Sequence, residues 1–215
     1  MIRLCTIIVL FNFSLPVEAL GQSLEWQDLG SHRLAKLKIR KSDKDGFALL
    51  ANNKTGLLFA NKLSRMLVAR NRNLANGSGV ALGDINGDGL ADVYFCGLQT
   101  DNKLFRNLGD WKFEDVTQDS GVACPRQYST GALIEDIDGD GDNDLLVTGL
   151  AKGTRLFLND GNGRFTEDLN SGLFPKLGAT SMAIADYDLD GDLDLYVANY
   201  RTTNHKDRPP GVNVS

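Results

Sequence analysis

Residues 136–144 read DIDGDGDND. Six of the nine are Asp or Asn and two are Gly, so carboxylates crowd a run built to turn. Left alone these charges repel, and something must neutralise them. The run is not single. DINGDGLAD occupies 84–92 and DYDLDGDLD occupies 186–194, and all three fit D-x-[DN]-x-D-G-x-x-D. Their first aspartates are 52 and then 50 residues apart, a period that belongs to a repeat architecture.

The flanks of each loop give the scaffold. GVALG (79–83), GALIE (131–135) and SMAIA (181–185) precede the loops. Val80 and Leu82 alternate with Ala81 and Gly83, and Met182 and Ile184 with Ala183 and Ala185, which is strand period. DVYFCG (92–97), DLLVTG (144–149) and DLYVAN (194–199) follow the loops and are β-branched and aromatic. Each acidic loop therefore joins two strands. The match continues: NKLFRNLGDWKFEDVTQDSGV (102–122) aligns with TRLFLNDGNGRFTEDLNSGL (154–173), pairing Phe105 with Phe157, Asn107 with Asn159, Phe113 with Phe165 and Gly121 with Gly172. This adds a third strand, a turn and a fourth strand. The expected fold class is all-β: propeller blades of four antiparallel strands, about two and a half of them, with the acidic loops in the blade hairpins.

Alternate residues of such a loop turn oxygens toward one point. Calcium takes six to eight oxygens from carboxylates, carbonyls and water. The expected ligands are Asp84, Asn86, Asp88, the Leu90 carbonyl and Asp92; Asp136, Asp138, Asp140, the Asp142 carbonyl and Asp144; and Asp186, Asp188, Asp190, the Asp192 carbonyl and Asp194. An EF-hand is excluded, because it needs Glu at position 12 and flanking helices, and that position holds Phe95, Val147 and Val197. With no Cys or His in any loop, zinc is disfavoured. Solvated Asp/Gly turns without metal are the competing reading. Calcium is the expected cofactor.

The chain has 215 residues and a formal charge of −5. The three loops hold 13 of its acidic residues, so the remainder is net basic. MIRLCTIIVLFNFSLPVEA (1–19) has the layout of a signal peptide, with Arg3, an apolar run from Leu4 to Leu15, and Val17 and Ala19 before the cleavage point. The apolar run is too short to span a bilayer. The expected location is secreted, extracellular or periplasmic, with no membrane span in the mature chain. Residues 20–45 form a polar, locally basic arm, and 46–200 hold the blades, divided as 79–130, 131–180 and a partial 181–200. GFALLANNKTGLLFAN (46–61) reads as a fourth strand followed by an inter-blade turn, and 201–215 as a truncated loop or tail. Cys96 and Cys124 remain after cleavage, and spacing leaves open whether they pair or stay buried thiols.

The motif order resembles the FG-GAP/VCBS repeats of integrin-α-like propellers, and the run ending in DLYVANYR is similar to the cartilage acidic protein (ASPIC/UnbV) family. The resemblance implies a propeller of seven or eight blades and an extracellular role in adhesion or ligand binding, without catalysis. The sequence departs from that family in two ways, since the ASPIC/UnbV domain is absent and so few blades do not close a ring; the expectation is an N-terminal fragment, and assembly with other copies is the alternative. The expected partner is an extracellular protein or glycan. Nucleic acid is not expected, because no stacking set accompanies the basic arm. Enzymatic alternatives, such as a lyase or hydrolase on a propeller, lack a motif: His32 and His205 are the only histidines, and no nucleophile elbow, zinc or phosphate-loop pattern occurs. A purely structural surface protein is the remaining alternative.

Overall fold

The computed structural model describes residues 26–28, 30, 33–35, 48–173 and 178–201. The expected signal peptide, Gly46-Phe47 and residues 202–215 lie outside them, as does most of the arm. The chain divides into two units, 1–48 and 49–215. In the first, β1 (Trp26–Asp28) pairs antiparallel with β2 (Arg33–Ala35). The polar composition of the arm did not announce this hairpin; Gly30, at φ +83, lies in the connection between the two strands.

The second unit opens on α1 (Asn52–Thr55), a single helical turn ended by Gly56 at φ +79. Residues 48–50 carry no strand, so of the strand-and-turn expectation for 46–61 only the turn is present among the described residues. Next come α2 (Arg65–Arg70) and a 3-10 turn (Arg72–Asn76). Leu63 and Leu67 pack with Leu74, Leu98, Leu150 and Tyr128 in a small satellite core, while Met66 is left exposed.

Two complete sheets follow, each a four-stranded antiparallel meander. The first is β3 (Val80–Gly83), β4 (Asp92–Phe95), β5 (Lys103–Asn107) and β6 (Phe113–Asp115). The turn α3 (Thr117–Ser120), ended by Gly121, leads to the second: β7 (Ser129–Glu135), β8 (Asp144–Gly149), β9 (Gly153–Asn159) and β10 (Phe165–Glu167). A third hairpin, β11 (Gly178–Ala185) with β12 (Asp194–Arg201), repeats the first half of the pattern. Each strand falls where the repeats place it, and the protein is all-β with very little helix.

Alternation predicts a strand but not which face turns inward. In β3 it is the small one: Ala81 is buried, whereas Val80 and Leu82 are exposed. The cause is the closeness of β7. A Cβ on Gly79 would stand 2.8 Å from the Gly131 Cα, and one on Gly83 would collide with the Ile134 side chain. Ile134 thus occupies space that only a glycine leaves free. Ala81, Ile85, Tyr94, Cys96 and Leu104 of the first repeat join Ala132, Ile134, Leu145, Val147 and Phe157 of the second in one core. Fully burying a side chain such as Leu145 contributes about 1.5–3 kcal/mol.

Polar groups in this core are satisfied in series. The Tyr94 hydroxyl donates to the Val122 carbonyl (2.8 Å) and accepts from Asn102 Nδ2 (2.6 Å), while Asn102 Oδ1 accepts from the Gly97 N–H (2.7 Å). Cys96 and Cys124 sit in the same core as free thiols. Burial, reinforced by the neighbouring Cys124, pushes the Cys96 thiol up to about 12.

The inter-sheet turns repeat a contact as well as a shape. A Cβ on Gly56 would run into the Phe113 carbonyl, and one on Gly121 would lie 3.4 Å from the Phe165 carbonyl. Each turn thus lies against the fourth strand of the sheet that follows it. The third hairpin is different at its outer strand. β8 is buried along its whole length between β7 and β9, whereas among the described strands β12 pairs only with β11, and Tyr196 is 73% exposed.

Candidate metal centre

The three acidic loops connect β3 to β4, β7 to β8 and β11 to β12. Their shape follows from glycines at positions 4 and 6. Gly87, Gly89, Gly139, Gly141 and Gly191 all have positive φ. In the third loop position 4 is Leu189, at φ +63, a conformation costly for a branched side chain and held here by the surrounding loop.

This backbone wraps the first aspartate in N–H groups. Asp84 Oδ1 accepts from Gly87 (2.8 Å), Asn86 and Asp88 (3.2 Å each), and Oδ2 from Gly89 (2.7 Å). Asp136 accepts from Gly139 (2.8 Å) and Gly141 (3.1 Å), and Asp186 from Gly191 (3.2 Å). Burial works against the charged form of Asp84, but the N–H groups of Gly89, Asn86, Asp88 and Gly87 outweigh it. Its carboxyl lies below the ordinary value.

Position 5 turns one oxygen to the N–H of position 7 in every loop: Asp88 to Leu90 (2.8 Å), Asp140 to Asp142 (2.9 Å) and Asp190 to Asp192 (3.0 Å). The Asp142 side chain lies over the next turn of its own sheet, where it fills the space a Cβ on Gly161 would need.

Position 9 has a structural task that the motif alone did not reveal. Asp92 is fully buried; its Oδ2 accepts from the Ile85 N–H (2.9 Å) and its Oδ1 from the Asn107 N–H (2.6 Å). Asp144 is likewise buried and accepts from Ile137 (3.0 Å) and Asn159 (2.9 Å). One carboxylate thus pins the start of the loop to the end of the third strand. Among the described residues Asp194 makes only the loop bond, to Tyr187 (2.9 Å), and it is exposed. Burial raises the Asp92 and Asp144 carboxyls above the ordinary value, against the pull of those N–H groups and with help from neighbouring loop aspartates.

Asn107 and Asn159 complete the frame. Asn107 Nδ2 donates to the Ala91 carbonyl (2.9 Å). Asn159 Nδ2 donates to the carbonyls of Ile85 and Asn143 (2.9 Å each), and Asn143 Nδ2 to the Asp84 carbonyl (2.7 Å). The second sheet therefore holds the first loop in place. The alignment of Asn107 with Asn159 was the visible signal, but it named no partner.

The expected ligands converge unequally. Carboxylate oxygens of Asp136, Asp138 and Asp144 lie within 4.8 Å of one another, as do those of Asp186, Asp188 and Asp190. Asp140 and Asp194 stand outside these groups, and the first loop, with Asn86 at position 3, forms no such group of three acids. Two oxygens of these loops are buried without a hydrogen-bond partner among the described residues: Asn86 Oδ1 in the first loop and Asp186 Oδ1 in the third. A buried acceptor without a donor costs about 1–3 kcal/mol. A hard divalent cation is the kind of group that such oxygen-only sets fit.

Two overlapping matches to the FG-GAP-like repeat model cover residues 84–147 and 136–197, each running from one acidic loop to the strand beyond the next. The chain is 25% identical to cartilage acidic protein 1 of Xenopus tropicalis over 175 residues, 80% of this chain and 25% of that protein. It is 28% identical over 133 residues to the Homo sapiens protein of that name, 60% of this chain and 20% of the relative. The Mus musculus protein is 27% identical over the same length. The chain spans a fifth to a quarter of these relatives. With loops, strands and turns recurring in the order that the family model describes, the chain belongs to the FG-GAP-like repeat family.

Proposed function

We propose that this chain is a secreted, calcium-binding β-propeller module that binds an extracellular protein or glycan, in adhesion or a related role. The observation that carries the calcium reading is the third loop: three carboxylates with oxygens within 4.8 Å of one another, one of which, Asp186, keeps a buried oxygen without a partner. Asp186, Asp188 and Asp190 would hold the ion there, and Asp136, Asp138 and Asp144 in the second loop. In the first loop Asp84, Asn86 and Asp88 are the candidates. Carbonyls of Leu90, Asp142 and Asp192, and the carboxylates of Asp92, Asp140 and Asp194, complete the sets. When bound, calcium neutralises the crowded carboxylates and stiffens the hairpin.

Export is supported by the signal-like residues 1–19 and by likeness to proteins named for cartilage. Among the described residues no helix is long and apolar enough to cross a membrane. A binding role fits better than catalysis, because the clustered carboxylates are engaged by loop N–H groups and stand at no general acid–base pair with a substrate pocket between them.

Thermal unfolding of the chelated protein with added calcium tests the reading. A ligand of the native state raises its stability by mass action, and a dissociation constant of about 10⁻⁴–10⁻³ M is expected for an extracellular module. An unchanged melting temperature at millimolar calcium, with no stoichiometric binding by calorimetry, would refute it.

A further inference from the structure

Between the two complete sheets lies a cleft of about 620 Å³, within the range of small-ligand sites. Its polar wall includes Arg106, Glu114 and Asp119 of the first repeat, beside Asp115, and Asp160, Asn162 and Arg164 at the turn between β9 and β10. From these residues we infer that the cleft binds a neutral, hydroxyl-rich saccharide. The inference rests on the reading of the chain as an extracellular binding module and names the ligand class of that module.

Three observations converge. First, Arg106 is half-committed. Its Nη2 donates to Glu114 at 2.6 Å, while its Nε is buried with no partner. The side chain is 41% exposed, so the rest of the guanidinium remains open to an acceptor brought by a ligand.

Second, the pair is not part of the repeat frame. In the second repeat Arg106 is replaced by Leu158 and Glu114 by Thr166, on strands with the same pairing. The second sheet folds without these charges, so the pair is an addition to the frame that the two repeats share.

Third, the wall offers both donors and acceptors. Asp119, Asp160 and Arg164 are exposed. Asp160 spends Oδ1 on the N–H groups of Asn162 and Arg164, which leaves Oδ2 to the cleft. An anion would meet the carboxylates of Glu114, Asp119 and Asp160. A cation would meet the guanidinium groups of Arg106 and Arg164. A hydroxyl donates and accepts at once, so a ring carrying several hydroxyls serves carboxylates and guanidinium groups together.

The test titrates the full chain, in millimolar calcium, with neutral oligosaccharides and with sulfated and uronate oligosaccharides, by calorimetry. Arg106→Gln and Asp119→Asn are compared with wild type, and melting temperatures are recorded for each. At least one neutral oligosaccharide should bind, and both variants should weaken it tenfold or more while melting within about 2 °C of wild type. Asp119→Asn is exposed and keeps the test open if Arg106→Gln unfolds. Absence of neutral binding, equal binding by the variants, or preference for the acidic sugars overturns the inference. Calcium stabilisation without saccharide binding sinks the cleft alone; saccharide binding without calcium stabilisation upholds the cleft and sinks the calcium reading.

Discussion

Asp144→Ala separates the structural from the metal-binding role of position 9. The substitution removes the acceptors for the part-buried N–H of Ile137 and the buried N–H of Asn159, which stand 3.0 and 2.9 Å from the carboxylate. Each donor left unsatisfied costs about 1–3 kcal/mol. Some of this is returned, because burial already works against the Asp144 charge. A net loss of about 2–4 kcal/mol follows, and for a domain of 150–250 residues each kcal/mol lowers the melting temperature by roughly 2–4 °C. Asp194 makes one such bond and is exposed, so Asp194→Ala should lose under about 1 kcal/mol. The assay is urea unfolding of both variants in excess chelator, so that loss of a metal ligand contributes nothing. Equal losses would show that the buried N–H bonds to Asp144 do not hold the hairpin, and the pinning role would be wrong.

Gly56→Ala should destabilise by about 2 kcal/mol or more, since a Cβ there collides with the Phe113 carbonyl at a φ of +79; an unchanged urea midpoint would contradict the inter-sheet contact. The Arg155–Glu167 pair, with Nε to Oε1 at 2.6 Å, holds the Glu167 carboxyl below its ordinary value of 4.5. A depressed carboxyl stabilises the fold above its unfolded value and loses that contribution as pH falls through the folded value. The stability gap between wild type and Glu167→Gln should therefore be full at pH 7 and shrink below about pH 4.5; a gap independent of pH would refute the pair. Cys96 and Cys124 are buried free thiols, with Cys96 pushed up to about 12, so a thiol reagent should modify them only after unfolding. Prompt labelling of the native protein would count against that burial.

Periodicity carried the architecture. Three copies of one acidic motif, each between apolar runs of strand period, fixed where every hairpin of the repeat region lies, because side-chain alternation and turn chemistry are local properties of the chain. The same locality explains the inter-sheet turns at Gly56 and Gly121. It does not reach contacts between segments far apart in sequence. Alternation in β3 left open which face is inside, and the approach of β7 decided it by admitting only small residues. The motif offered Asp92 and Asp144 as ligands alike with their neighbours, yet the strand that arrives 15 residues later takes one oxygen of each, and the loop takes the other. Asp194, the same letter in the same motif, is exposed, and among the described strands β12 pairs only with β11. Arg106 and Asp160 are 54 positions apart in the sequence and meet only because one sheet packs beside the next. Sequence determined the repeat and its loops, since these depend on neighbours along the chain; tertiary structure decided burial, convergence and the cleft, since these depend on neighbours in space.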